Sequence, residues 1–310
     1  SERERHHIYL EPEGNSTDEY YLNGFSTSLP VEIQWEMVRS LPGLENAHIT
    51  RYAYAIEYDF VLPHQLDISL ALRAWPNLFL AGQINGTSGY EEAAAQGLVA
   101  GINAARLAGN LGATLRIGRE QAYIGVMIDD LVTKEILEPY RLFTSRAEYR
   151  LTLRQDNADR RLTPIGAQFG LVNAKQLEQV ERLEREISEA KTRLEQIRFG
   201  SGHSAWDLLS HPDFNYREHA ELPVFPERVL EQLIIEARYA GYIAHQELQV
   251  KSLRKLENWS IPEDFNYRIA GISTEARIKL EKYRPKTLGL ASRIDGVTPA
   301  EIAVLQVRMK

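Results

Sequence analysis

Small side chains return at every fourth position between residues 93 and 105: Ala93, Gly97, Gly101 and Ala105. That spacing lines one helix face with residues too small to hold a neighbour away, so the helix can lie close against a sheet. The preceding residues fit such a unit. Residues 78–81, Leu-Phe-Leu-Ala, form a short apolar run of the kind found in covered parallel strands. Between run and helix lies a polar loop broken by Gly82, Gly86 and Gly89, which permit tight turns and close approach of a ligand to the backbone. A helix starting near Tyr90 points its free N–H groups and positive dipole end at this loop, a setting for a phosphate or another electron-rich group. An ordinary strand-loop-helix packing unit uses the same pattern, and the spacing leaves both readings open. Gln83, at the strand end, can both donate and accept hydrogen bonds. Asn85 and Thr87 can read a ligand or merely stabilise the loop. Glu91 and Glu92 fall in the first helical turn, where they complement the dipole.

Upstream, residues 7–10 read as a strand and residues 30–41 as a helix closed by Pro42-Gly43, with Ile33, Met37 and Leu41 on one face. In residues 49–60, Tyr52, Tyr54, Ile56, Tyr58 and Phe60 alternate, which is the period of a half-buried strand. Beyond residue 120 the pattern turns helical. In residues 174–198, Val180, Leu183, Ile187, Ala190, Leu194 and Ile197 recur at spacings of three and four, a seam for a second helix. Residues 200–204 break it, and residues 227–257 form another long helix that turns basic at Lys251, Arg254 and Lys255. Thr298-Pro299-Ala300-Glu301 carries a helix start with a capping box. Asp129-Asp130 reads as an acidic pair in a helical turn.

Arg141, Arg146, Arg150 and Arg154 are the phosphate-binding candidates. The last three share a helix face at i, i+4; in an extended segment Arg150 and Arg154 still share one. Guanidinium forks suit phosphates, and Tyr140 and Tyr149 can stack on bases. The competing reading is an ion-paired network with Glu148, Asp156 and Asp159.

The absence of Cys from all 310 residues excludes disulfides, thiolate metal sites and a cysteine nucleophile in this piece. The eight His show no metal-site spacing with a carboxylate, so no metal is expected. No apolar run approaches membrane-spanning length. The net charge of −7 hides an asymmetry: residues 251–310 hold 12 Lys and Arg against 7 Asp and Glu, so +5, leaving −12 for the remainder. Such a basic end suits phosphate contact or a solvated helical face.

Three stretches together resemble one family. They are residues 77–105; Glu138-Pro-Tyr-Arg-Leu-Phe-Thr-Ser-Arg-Ala-Glu-Tyr-Arg-Leu-Thr-Leu-Arg-Gln-Asp-Asn-Ala-Asp159; and Gly271-Ile-Ser-Thr-Glu-Ala with Ala291-Ser-Arg-Ile-Asp-Gly-Val-Thr-Pro-Ala300. Their order is similar to that of the C-terminal half of the large flavoprotein subunit of the tRNA wobble-uridine modification enzyme, the MnmG/GidA family. Residues 51–54 and 134–137 depart from the usual family text. No G-x-G-x-x-G occurs, so the resemblance implies a C-terminal portion lacking the first flavin fingerprint.

It further implies an α/β plus all-α chain, in which the C-terminal part of a FAD-binding, Rossmann-like domain of the glutathione-reductase type precedes a helical domain. Residues 1–65 would close an inserted α/β domain, 66–115 the last unit of the flavin domain, and 120–310 the helical domain, with a sub-boundary near 200–226. The implied activity is FAD-dependent addition of a carboxymethylaminomethyl or aminomethyl group to carbon 5 of the wobble uridine, with methylene-tetrahydrofolate and NADH as co-substrates. A homodimer in the cytoplasm, working with a partner GTPase of the MnmE type on tRNA, goes with it. Gly82, Gln83, Ile84, Asn85, Gly86 and Thr87 are the implied flavin contacts, and Arg141, Arg146, Tyr149, Arg150 and Arg154 the implied tRNA contacts; the catalytic residues would lie elsewhere. Two alternatives are a non-catalytic helical module that docks GTPase and tRNA, and a folate- and FAD-dependent tRNA uridine methyltransferase.

Overall fold

The computed structural model describes residues 5–199 and 202–309. The chain divides into two compact units, Ser1–Asp59 and Phe60–Lys310.

In the first unit, β1 (Tyr9–Pro12) and β2 (Tyr20–Asn23) form an antiparallel hairpin with Tyr9 opposite Asn23 and Pro12 opposite Tyr20. Helix α1 (Val31–Arg39) follows. It buries Gln34 rather than Ile33, which is 41% exposed. The Gln34 amide takes both backbone groups of Ala53: Nε2 donates to the carbonyl at 2.9 Å, and Oε1 accepts from the N–H at 2.9 Å. The strand expected over residues 49–60 is therefore not formed. Tyr54 and Tyr58 are 73% and 61% exposed, and no strand among the described residues pairs with this segment. Alternation encodes a face, but a strand also needs a neighbour's N–H and C=O groups.

The second unit opens with a ladder of isolated bridges, Leu66 to Leu72 and Ala71 to Phe79. Residues 78–81 are extended but make no regular strand; Leu72 N donates to Leu78 O at 2.8 Å and Leu80 N to Leu70 O at 3.1 Å. A tight turn at Gly82–Asn85 leads to α2 (Tyr90–Ala108). Helix α2 does not bury its small-residue face. A Cβ built on Gly97 or Gly101 meets nothing within 4 Å, whereas Glu92, Gln96, Val99, Ala100 and Asn103 are buried. The buried face packs on α3 (Tyr123–Thr133), whose Met127, Ile128 and Leu131 join Leu66, Leu70 and Val99 in one core.

The helical part begins with α4 (Ala158–Gln168) and α5 (Ala174–Gln196). In α5 the expected seam is present: Val180, Leu183, Ile187, Ala190 and Leu194 are buried. Leu183, Ile187, Ala190 and Leu194 pack with α6 (Ala205–Leu209) and the first turns of α7 (Glu227–Glu257) in a second core that includes Leu209 and Leu233. Each buried Leu or Ile contributes roughly 1.5–3 kcal/mol of transfer free energy. A third core forms between α8 (Thr274–Tyr283), α9 (Leu288–Ser292) and α10 (Pro299–Arg308) around Leu280, Leu288 and Leu305. The Thr298–Glu301 capping box is made in both directions. The described residues are thus mostly helical with one small sheet.

Candidate functional site

The loop between residues 81 and 90 needs its glycines. Gly82 and Gly86 have φ of +85° and +79°, a region that other residues enter at a cost. A Cβ on Gly89 would sit 1.7 Å from Glu92 Oε2. The loop is organised from beneath by Gln96, which is fully buried. Its Oε1 accepts from Gly82 N at 3.1 Å and from Asn85 Nδ2 at 2.8 Å, and its Nε2 donates to Thr87 Oγ1 at 3.0 Å. Asn85 Nδ2 also donates to Leu80 O, while its buried Oδ1 has no partner.

The loop is joined edge to edge to the arginine-rich segment. Tyr140 N donates to Gly86 O at 2.8 Å, and Ser88 N donates to Tyr140 O at 3.3 Å. The Tyr140 ring is buried and its hydroxyl donates to Asp130 Oδ2 at 3.0 Å. Burial and the Asp130 charge hold that phenol well above its ordinary range.

Beneath it lies an ionic network. Arg119, 4% exposed, reaches Asp129 at 3.1 Å, Asp130 at 2.7 Å and Glu148 at 2.9 Å. Burial alone would lower its affinity for the proton, but Glu148, Asp129 and Asp130 more than reverse this. Arg293, between α9 and α10, closes on Asp129 at 2.7 Å and Glu257 at 2.5 Å. Burial dominates at Asp129 and raises its pKa despite both arginines. The three sequence stretches therefore meet in one place: loop to Tyr140, Tyr140 to Asp130, Asp129 to Arg293.

Three family models match: one described as "Glucose inhibited division protein A" over residues 1–111, and the MnmG/GidA "C-terminal helical domain" and "C-terminal helical bundle" over residues 174–247 and 249–310. The chain is 50% identical to the "tRNA uridine 5-carboxymethylaminomethyl modification enzyme MnmG" of Syntrophotalea carbinolica, over 100% of this chain and 53% of that protein. It is 48% identical to the Listeria innocua protein of the same name, over 99% of this chain and 52% of that one. The chain belongs to the MnmG/GidA family. A solved structure of Aquifex aeolicus GidA superposes with a TM-score of 0.81 at 49% identity, covering 100% of this chain and 52% of the other. The chain spans about half the length of the relatives it matches.

Within this MnmG/GidA chain the candidate residues fall into two groups. Gln83 is exposed and Ile84 and Gly86 are partly so, whereas Gly82, Asn85 and Thr87 are buried, and the side chains of Asn85 and Thr87 bond inward to Leu80 and Gln96. Those two side chains shape the loop from within. Among the arginines, the helix that would align Arg146, Arg150 and Arg154 is not formed. A short turn at Thr144–Arg146 gives way to irregular backbone through residue 157, because Ala147, Tyr149 and Leu153 anchor it on Val126. Tyr149 is 7% exposed, so its ring packs in the core and presents no face for a base.

Arg141 pairs with Glu92 at 3.2 Å, and Arg154 with Asp156 at 3.0 Å. Arg146 lies 4.5 Å over the Tyr140 ring and donates from Nε to Arg141 O. Arg150 is exposed and makes no ion pair among the described residues. Sequence reading missed Gln96, Arg119 and Arg293 as organisers; Asp129-Asp130, read as an acidic pair in a helical turn, lies in helix α3 and is buried. A charged pair inside the apolar run of α3 was the available signal, since buried carboxylates require cations.

The basic end also resolves. Lys282 pairs with Glu135, Lys286 with Asp67, Arg254 with Glu120 and Arg293 with Asp129, so cations of the last sixty residues neutralise carboxylates earlier in the chain. No helix among the described residues is long and apolar enough to cross a membrane.

Proposed function

We propose that this chain is the flavin-loop and RNA-contacting portion of a FAD-dependent enzyme that modifies carbon 5 of the wobble uridine of tRNA. The observation that carries the reading is the direct backbone pairing of the Gly86–Ser88 loop with Tyr140, which makes the loop and the arginine segment one surface. The fit to a flavin rests on the positive-φ glycines and the exposed Gln83. Backbone at Gly82, Ile84 and Gly86 and the Gln83 amide would hold the group, with Asn85 and Thr87 fixing the loop behind it. The flavin supplies the redox chemistry when bound; this chain's part is to bind, orient and exclude water. Arg141, Arg146, Arg150 and Arg154 contact phosphates, with Arg150 contributing most because no carboxylate among the described residues pairs with it.

In this reading NADH and methylene-tetrahydrofolate are co-substrates, the working form is a cytoplasmic homodimer, and an MnmE-type GTPase docks on the helical part. The names of the relatives favour this chemistry over the uridine methyltransferase alternative. The docking-module reading keeps one observation of its own: Tyr239, Tyr242 and Leu248 on the middle of α7 are 41%, 68% and 63% exposed.

The test is flavin titration of the full-length protein. Gln83→Ala removes one hydrogen bond, worth roughly 0.5–1.5 kcal/mol, and so weakens FAD about twofold to tenfold. Unchanged affinity removes Gln83 from the site.

A further inference from the structure

Glu92 joins the start of α2 to residues 141–142. It occupies the third position of α2 and is 2% exposed. Its Oε1 accepts from Leu142 N at 2.8 Å and from Arg141 Nε at 3.2 Å. Its Oε2 lies against Gly89, buried and without a partner. Burial pushes the carboxyl up, but the Leu142 and Glu92 backbone N–H groups and Arg141 outweigh it, so the group stays ionised. The Arg141 side chain is 51% exposed, so its charge is shared between a buried carboxylate and the surface.

We propose that Glu92 competes with an RNA phosphate for Arg141, and that this exchange couples RNA bound at residues 141–154 to the ligand bound at the Gly82–Thr87 loop. The inference rests on the reading of residues 141–154 as a phosphate-binding segment. A phosphate and Glu92 are both anionic acceptors, and the side-on fork of Arg141 needs the Nε that Glu92 now holds. When the phosphate takes Arg141, Glu92 keeps Leu142 N–H and the positive end of α2, which suffice to hold its charge. What is lost is a tie between the first turn of α2 and segment 140–142, and that segment is bonded to the loop through Gly86 and Ser88. The coupling is reciprocal by thermodynamic necessity: RNA alters flavin affinity by the factor by which flavin alters RNA affinity.

The experiment is a two-residue cycle in the full-length protein, read by tRNA binding at fixed salt. Glu92→Gln keeps an oxygen for Leu142 N–H and removes the competing charge, so tRNA affinity rises about threefold to tenfold. Arg141→Ala lowers it, and adding Glu92→Gln to Arg141→Ala changes nothing further. An equal effect of Glu92→Gln with and without Arg141, or no effect at all, overturns the proposal. Arg141→Ala with unchanged tRNA affinity overturns the phosphate-binding reading beneath it. A second measurement needs no Glu92 variant: tRNA shifts the FAD dissociation constant of the unmodified protein and leaves that of Arg141→Ala unshifted. Identical shifts in both proteins, or none in the first, refute the coupling.

Discussion

Replacing Arg119 with Met should cost this chain more than the loss of any other single ion pair. The guanidinium is 4% exposed and donates to Asp129, Asp130 and both oxygens of Glu148, and to the carbonyls of Val126 and Arg146. Met fills most of the volume and removes the charge, leaving carboxylates with side-chain exposures of 2% and 0% at Asp129 and Asp130. Breaking a buried pair from one side costs about 3–5 kcal/mol, because the surviving charge stays desolvated. Two features bound the loss: Arg293 still holds Asp129, and Lys134 still reaches Asp130 at 3.0 Å. The expected figure is therefore the lower part of that range, about 3 kcal/mol.

Urea denaturation followed by far-UV circular dichroism reads the loss. With a slope of about 2–3 kcal/mol per molar, the midpoint falls by about 1–1.5 M. Arg228→Met is the internal comparison. Its pair with Asp159 is 53% and 38% exposed, and such pairs contribute about 0–1 kcal/mol. If Arg119→Met folds and loses less than about 1 kcal/mol, the network is not what holds α3, segment 146–148 and Arg293 together.

Gln96→Leu leaves Gly82 N, Asn85 and Thr87 without their buried partner and should weaken FAD binding to the full-length protein at least about tenfold, at about 1–3 kcal/mol per stranded group; flavin titration checks it. At Glu301, hydrogen bonds from Thr298 and Ser273 outweigh the upward push of burial and bring the pKa down to about 2. Its stabilising contribution is then complete above the unfolded-state value near 4.3 and is lost as pH falls toward 2; discounted for solvent screening it amounts to about 1–2 kcal/mol, seen as the difference in melting temperature between wild type and Glu301→Gln across pH 5 to 2. Arg150→Ala should weaken tRNA binding and reduce its salt slope by about one unit without lowering thermal stability, whereas a lowered melting temperature with an unchanged slope assigns Arg150 to structure.

Local rules were legible in the sequence wherever one element could satisfy them alone. The α5 seam, the full extent of α7 and the Thr298–Glu301 box depend on helical spacing and on groups a few residues apart, so they appear as read. Segment 49–60, residues 78–81 and the Gly97–Gly101 face of α2 each carry a pattern written for a partner that the described residues do not supply. They are found extended, bridged singly or facing open space. The arginine segment shows the same limit from the other side. Its i, i+4 spacing permits a helix, but Ala147, Tyr149 and Leu153 are drawn onto Val126, and Glu148 is fixed by Arg119.

Those contacts span long sequence separations, which no local periodicity encodes. The same reason hid the core of the candidate site. Gln96 and Glu92 sit on a helix whose visible stripe was its small residues, and their meaning lies in what folds back over them: Gly82, Thr87 and Leu142. A buried amide and a buried carboxylate on the face beside a small-residue stripe, below a glycine loop, therefore mark where a loop is held rather than where a ligand is touched. In this chain Gln83 is exposed and Gly86 partly so, while the residues that make their positions reproducible lie one layer beneath.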